Sequence, residues 1–190
     1  AGEEGRGLRP ALEAVRKEFP DVRISVDTYW SDVVRRAYDA IGDFIVNDIS
    51  SGEDDPQMLP LVGRLGLTYV AMHKRGNPKT MQSMTDYEDV TSDVADYFSD
   101  FSDRAGQCGV GDWILDPGFG FAKTLEQNYQ LMRDLSSFKA AFPSRRLLVG
   151  VSRKSMVYRL LGITPEESLP ATQVLHLQAL QNGADILRVH

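Results

Sequence analysis

Six short apolar runs constrain this chain more than any other feature. They occupy residues 23–26, 44–46, 68–72, 113–115, 146–151 and 186–189, and stretches of helical period lie between them. Apart from 23–26, Arg-Ile-Ser-Val, they do not alternate polar and apolar residues as a strand with one wet face would, so they read as strands covered on both sides. Strands of that kind, alternating with helices, specify an α/β fold with a parallel sheet. Doubly wound sheets and barrels both satisfy the pattern. The absence of a Gly-x-Gly-x-x-Gly fingerprint and of a Walker loop weighs against a nucleotide-binding open sheet.

The helical stretches follow from period and punctuation. Leu8, Leu12, Val15 and Phe19 mark one helix in roughly the first twenty residues, after a loop at 1–5. Ser31 is placed to cap a second helix with Val33, Val34, Ala37 and Ile41 on its buried face. Asp55 and Pro56 open a third, which Gly66 ends. Residues 86–104 carry Val90, Val94, Tyr97, Phe98 and Phe101 as a buried stripe. Thr124 and Gln127 have capping-box spacing and start another helix, carrying Tyr129, Leu131, Met132 and Leu135. A helix follows Ser155, and a last one covers 171–181 before Gly183.

With 190 residues the chain can bury one substantial core, and a single domain over 1–190 is expected. The formal net charge of −6 argues against nucleic-acid partners, and no apolar run is long enough to span a bilayer. Cys108 is the only cysteine, which excludes an internal disulfide and fits a cytoplasmic setting. His73, His176 and His190 lack metal-ligand spacing. His176 reads as a packing residue, and His73 as either a site or a loop residue.

Chemistry gathers where the runs stop. Their ends supply Asp27, Asn47 with Asp48, Met72 with His73, Asp116, Ser152 with Lys154, and Arg188 with His190. The 112–124 stretch shows the design most plainly. The apolar run 113–115 stops at Asp116, Pro117, Gly118 and Gly120 prevent any continuation, and a helix begins after Lys123. Carboxylates at strand ends, on turns leading into helices, are where α/β enzymes place reactive groups. Asp27, Asn47 and Asp116 suit the amino, ring N–H and carbonyl edges of a flat heterocycle. Lys154, Arg188 and His190 suit an anion of the phosphate type. A heterocycle carrying phosphate or diphosphate is the ligand class these residues imply. Ser152 and Ser155 lack a His–Asp pair, so nucleophilic catalysis is poorly supported.

Several stretches, taken jointly and in order, closely resemble dihydropteroate synthase. They are Ile24-Ser25-Val26-Asp27-Thr28-Tyr29, Asn47-Asp48-Ile49-Ser50, and Met72-His73-Lys74-x-Gly76-Asn77-Pro78-x-x-Met81-Gln82. Further along come Leu115-Asp116-Pro117-Gly118-Phe119-Gly120-Phe121-Ala122-Lys123-Thr124, Gly150-x-Ser152-Arg153-Lys154-Ser155 and Arg188-Val189-His190. The resemblance implies a TIM (β/α)8 barrel of the pterin-binding type, represented here by about six βα units. It implies condensation of 6-hydroxymethyl-7,8-dihydropterin diphosphate with 4-aminobenzoate, giving 7,8-dihydropteroate and pyrophosphate in folate biosynthesis. By that resemblance Asp27, Asn47, Met72, Asp116, Gly150 and Lys154 line the pterin site, with Asp116 and Lys154 catalytic. Arg188 and His190 take the diphosphate. Phe121 and Ser155 border the aminobenzoate site, where sulfonamides also bind in this family. Mg²⁺ as cofactor, a homodimer built on the late helices and a cytoplasmic location are implied as well.

Two βα units that open the family pattern, one of them carrying an Asn that helps bind Mg²⁺, have no counterpart here, nor has the last helix after His190. The expectation is therefore a domain incomplete at both ends, with most of a pterin pocket and little or no synthase activity. Two other readings compete. One is a pterin-binding methyltransferase domain of the corrinoid type, which would not need residues 152–155 or Arg188 and His190. The other is a non-catalytic pterin-binding module.

Overall fold

The computed structural model describes residues 4–76 and 84–190. Asn77, Pro78, Met81 and Gln82 of the third motif lie outside the described residues. Among the described residues the elements run in the order α1 Glu4–Glu18, β1 Ser25–Asp27, α2 Ser31–Ile41, β2 Ile45–Asp48, α3 Met58–Leu65, β3 Thr68–Met72, α4 Val90–Gln107, β4 Trp113–Asp116, α5 Leu125–Arg133, α6 Leu135–Ala141, β5 Arg146–Val149, α7 Ser155–Leu161, α8 Leu169–Gln181 and β6 Ile186–Leu187. The six strands follow one another in sheet order β1-β2-β3-β4-β5-β6, and the pairings with an assigned register are parallel. That is the α/β class the apolar runs predict. Among the described residues no helix is long and apolar enough to cross a membrane.

The chain gathers into two compact units. The first comprises the residues up to Ala71 together with Phe101–Trp113. Within it β1 and β2 pair in the register Val26↔Val46 and Asp27↔Asn47, and β2 pairs with β3 from Ile45↔Thr68 to Asp48↔Ala71. Its core is aromatic at the centre. The Tyr69 ring stacks on Phe101 at 5.9 Å, and Phe101 meets Trp113 edge-on at 4.9 Å.

The second unit comprises the described residues of Met72–Asp100 and Ile114–His190. Here Ile114↔Arg146 and Leu115↔Leu147 join β4 to β5, and Leu148↔Ile186 and Val149↔Leu187 join β5 to β6. Phe98, Phe138 and Phe142 pack as a triangle of rings 5.6 to 6.3 Å apart. The capping box at the start of α5 is formed. Thr124 Oγ1 accepts the Gln127 N–H at 3.2 Å, and Gln127 Oε1 accepts the Thr124 N–H at 2.8 Å. Thr124→Ala removes one of these bonds. It is expected to cost about 1 kcal/mol, lowering the melting temperature by roughly 2–4 °C for a chain of this size; differential scanning calorimetry measures the shift.

Several boundaries differ from the sequence expectation, and side-chain hydrogen bonding explains most of them. Strand β2 runs on through Asn47 and Asp48, because both residues pair with β3. Ser31 does not cap α2; Trp30 holds that position, while the Ser31 N–H donates to Asp55 Oδ2 at 2.7 Å. Helix α3 starts at Met58, since Asp55 closes a local turn onto the Gln57 N–H, and Pro60 falls harmlessly in the first turn. Helix α4 begins at Val90 instead of 86, with Asp89 Oδ1 accepting from the Ser92 N–H. The helix after Thr124 is two, α5 and α6, broken at Asp134. Glu4 and Gly5 belong to α1 rather than to a loop. Of the apolar face expected there, Leu12 is buried while Val15 and Phe19 are exposed.

Candidate functional site

Asp116 is the best-prepared group in the second unit. All four residues of β4 are buried, and Asp116, its last, is 1% exposed. A carboxylate so placed must be paired or hydrogen-bonded. Oδ1 accepts the Gly118 N–H at 2.9 Å, and Oδ2 accepts from Arg188 Nη2 at 2.7 Å. The main chain is equally constrained, since the Asp116 carbonyl accepts the His73 N–H at 2.9 Å. Gly118 then turns the chain at φ +70°, and a β-carbon there would stand 2.0 Å from the His73 carbonyl oxygen. Only glycine satisfies both conditions. Met72 lies alongside, with Cγ 3.5 Å from that same point.

Arg188 reaches Asp116 because Gly150 leaves room for it. A β-carbon on Gly150 would stand 2.9 Å from Nη2 and 3.2 Å from the guanidinium carbon. The Arg188 side chain is still 37% exposed, so one cation faces both a buried carboxylate and the outside. His190 is anchored beside it by its main chain, whose N–H donates to Ser152 Oγ at 3.2 Å.

Lys154 caps α7 and reaches back over the turn after Asp116. Its Nζ donates to the Phe119 carbonyl and lies 4.6 Å from the centre of the Phe121 ring. The Lys154 aliphatic stem passes 3.2 Å from where a Gly120 β-carbon would stand. Burial pushes its ammonium down to about 8; nearby Asp116 opposes that shift and Arg188 adds to it. Ser155 opens α7 and, with Gly120, Lys123, Thr124 and Arg159, lines a cavity of about 270 Å³.

Lys123, which the sequence motif includes without a role, acquires one in the structure. It is buried, with Nζ 3.0 Å from His73 Nδ1, 3.0 Å from the Gly118 carbonyl and 3.1 Å from the Phe121 carbonyl. Burial pushes its ammonium down to about 7, against the pull of Asp116 and with the help of Lys154 and Arg75. Burial also holds the His73 imidazole neutral, pushing it down to about 2, reinforced by Lys123 and Arg75. His73 is therefore a loop residue supporting the turn, the second of its two sequence readings. A basic residue beside a glycine-rich turn was the only sequence signal for Lys123.

In the first unit, Asp27 and Asn47 are register partners and so point to the same face of adjacent strands. Asp27 is exposed and Asn47 half-buried. Asp48 points to the opposite face and is fully engaged in structure. Its two oxygens accept from the Ser50 N–H and hydroxyl, the Gly52 N–H and the Tyr69 hydroxyl at 2.6 to 2.9 Å. Its neighbour Asn47 stays a site candidate, and Asp48 does not.

Chemically, the second unit brings a buried carboxylate acceptor, two cations and an aromatic face together on one glycine-rich turn. Asp116, Met72, Gly150, Lys154, Arg188 and Phe121 are linked by the contacts above, with Ser155 next to Lys154. Such a turn can grip a polar heterocyclic edge through Asp116 and an anionic group through Arg188 and Lys154.

Comparison with known proteins points the same way. The model of a family described as pterin binding enzyme matches residues 1–190. The dihydropteroate synthase of Synechocystis is 43% identical over 185 residues, covering 95% of this chain and 62% of the relative. The chain thus spans less than two thirds of that relative's length. The structure of dihydropteroate synthase from Thermus thermophilus in complex with 6HMPPP superposes with a TM-score of 0.90 at 37% identity, covering 100% of this chain and 74% of the other. The same enzyme in complex with 4-aminobenzoate gives 0.90 at 37%, covering 99% and 72%.

Proposed function

The chain belongs to the family of pterin binding enzymes, and from that membership we propose that it carries the pterin half of a dihydropteroate synthase site. The reaction is the joining of 6-hydroxymethyl-7,8-dihydropterin diphosphate to 4-aminobenzoate. The observation that carries this reading is the buried Asp116 carboxylate, bonded by Arg188 with Lys154 beside it. Asp116 accepts from the pterin's ring N–H and amino group. Lys154 donates to the pterin's carbonyl side. Met72 and Gly150 shape the slot.

Arg188 and His190 receive the diphosphate. As the bond between the pterin methylene and the diphosphate oxygen breaks, its electron pair leaves with that oxygen, and the cations at Arg188 and Lys154 stabilise the charge. The methylene is left electron-poor and conjugated with the ring, and the anionic Asp116 at the ring edge favours that state. The aminobenzoate nitrogen lone pair forms the new C–N bond, and its surplus proton passes to water. Phe121 and Ser155 border the aminobenzoate, which is also where a sulfonamide would sit. The protein supplies no nucleophile.

Magnesium belongs to this proposal only as a counter-ion brought by the diphosphate, which is how Mg²⁺ commonly enters phosphate sites. The residues around Asp116 do not fit a protein-held ion. The one carboxylate is bonded to Arg188, its other neighbours are cationic, and the described residues contain no group of three His, Cys, Asp or Glu suited to a metal. A cytoplasmic location and a homodimer complete the proposal. The single cysteine supports the first, and Val174, Leu177 and Leu180, exposed on α8, support the second.

Titration calorimetry with the pterin diphosphate, followed by a pyrophosphate-release assay with 4-aminobenzoate, tests the reading. Binding with release supports the synthase. Binding without turnover would select the competing reading, a non-catalytic pterin-binding module. No pterin binding at all would refute both. Lys154→Ala is expected to weaken pterin diphosphate binding by about 10- to 100-fold, the worth of one charged hydrogen bond. It should also lower any turnover; an unchanged titration would remove Lys154 from the site.

A further inference from the structure

Two lysines hydrogen-bond to the turn after Asp116, and only Lys154 is assigned a ligand contact above. The carbonyl of Phe119 accepts from Lys154, while those of Gly118 and Phe121 accept from Lys123. Three N–H groups of the turn are taken too. Gly118 donates to Asp116 Oδ1, Gly120 to Asn128 Oδ1 at 2.7 Å, and Phe121 to the Gly118 carbonyl at 3.1 Å. Lys123 has three donors as an ammonium, and three acceptors surround it, the third being His73 Nδ1. An imidazole that accepts at Nδ1 carries its proton on Nε2. Its main-chain N–H meanwhile holds the Asp116 carbonyl, so His73 ties Lys123 to the very strand end that carries the carboxylate.

We propose that Lys123 is a positioning residue: its ammonium, seated on His73, holds the 117–123 turn in the one shape that sets the Asp116 carboxylate and the Phe121 ring at their working distance. Lys123 lines the cavity beside Ser155, but its ammonium is engaged by two carbonyls and an imidazole, and it acts through them. A buried ammonium is a costly way to stabilise a fold, since an apolar side chain of similar length often serves as well or better. What an apolar side chain cannot do is satisfy two carbonyls and an imidazole at once. The inference about ligand affinity rests on the proposed function; the inference about the turn does not.

Lys123→Met keeps the volume and removes the donors. Amide hydrogen exchange is expected to show the protection of Gly118, Gly120 and Phe121 falling about 10-fold or more, a larger loss than at amides elsewhere in the second unit. Lys123→Ala opens a space for propylammonium, which should restore the protection where 1-butanol does not. In the unsubstituted protein, ¹⁵N spectra should show a slowly exchanging Lys123 ammonium and a His73 protonated at Nε2 alone. That measurement decides the matter even where a variant fails to fold. Unchanged protection in Lys123→Met, equal rescue by 1-butanol, or a His73 proton on Nδ1 would each overturn the proposal. Pterin diphosphate affinity should fall about 10-fold in Lys123→Met. If the unsubstituted protein binds no pterin, the proposed function fails, and the exchange data still judge Lys123.

Discussion

Asp116→Asn is expected to weaken pterin diphosphate binding by about 100-fold, or roughly 2.7 kcal/mol, with a much smaller effect on folding. The substitution keeps the shape of the side chain. An asparagine oxygen can still accept the Gly118 N–H, now made by Oδ1 at 2.9 Å. What changes lies on the other side. The amide group would face Arg188 Nη2, a donor against a donor, where an anionic oxygen now accepts at 2.7 Å. Arg188 is 37% exposed and can turn to water, so the fold loses little. The ligand has no such escape. Donors on a pterin edge would meet a neutral acceptor instead of a buried anion, and hydrogen bonds to charged groups contribute about 1.5–3 kcal/mol each. Calorimetry gives the affinity, and a thermal melt on the same sample separates binding from folding. Undiminished affinity in a well-folded variant would mean that Asp116 does not hold the pterin.

Gly118→Ala is expected to have the largest effect on stability of any single methyl group added near the site. The added β-carbon meets the His73 carbonyl oxygen at 2.0 Å, far inside van der Waals contact, and it does so at φ +70°, where a side chain is already strained. Overpacking and backbone strain each contribute about 1–3 kcal/mol, and together about 2–5 kcal/mol. For a chain of this length that is a fall in melting temperature of roughly 10 °C. Relief by moving the turn would pull the Gly118 N–H off Asp116, so pterin binding should suffer in parallel. A melting temperature within 2 °C of the unsubstituted protein, a shift of less than about 1 kcal/mol, would show that the turn yields easily.

The two variants differ in how far sequence alone anticipates them. Asp116 was legible because an apolar run ends on it and three residues that break strand and helix follow within four positions. Those are local signals, and local signals survive without a structure. The Thr124–Gln127 box was legible for the same reason: both partners lie within one turn of helix, and the structure forms both of its bonds. Ser31 and Asp55 show where such reading stops. Ser31 has the right identity for a cap, yet its N–H donates to a carboxylate 24 residues away. Asp48 was equally deceptive. It stands next to Asn47 at a strand end, but the alternation of side chains turns it towards Tyr69, Ser50 and Gly52.

What the amino-acid order determined by itself is the class of fold, the parallel strands and, to within about two residues, where each strand gives way to a turn, since periodicity, glycine and proline act over a few residues. What only the tertiary structure decided is which of those residues meet. Arg188 finds Asp116 across 72 positions, and Lys123 finds His73 across 50. Both meetings depend on a missing side chain or a closed turn, at Gly150 and Gly118, whose purpose is visible only once the opposing atoms are in place. Burial then sets the charge states, holding His73 neutral and lowering Lys123 and Lys154, because desolvation belongs to the packed interior and not to any stretch of chain.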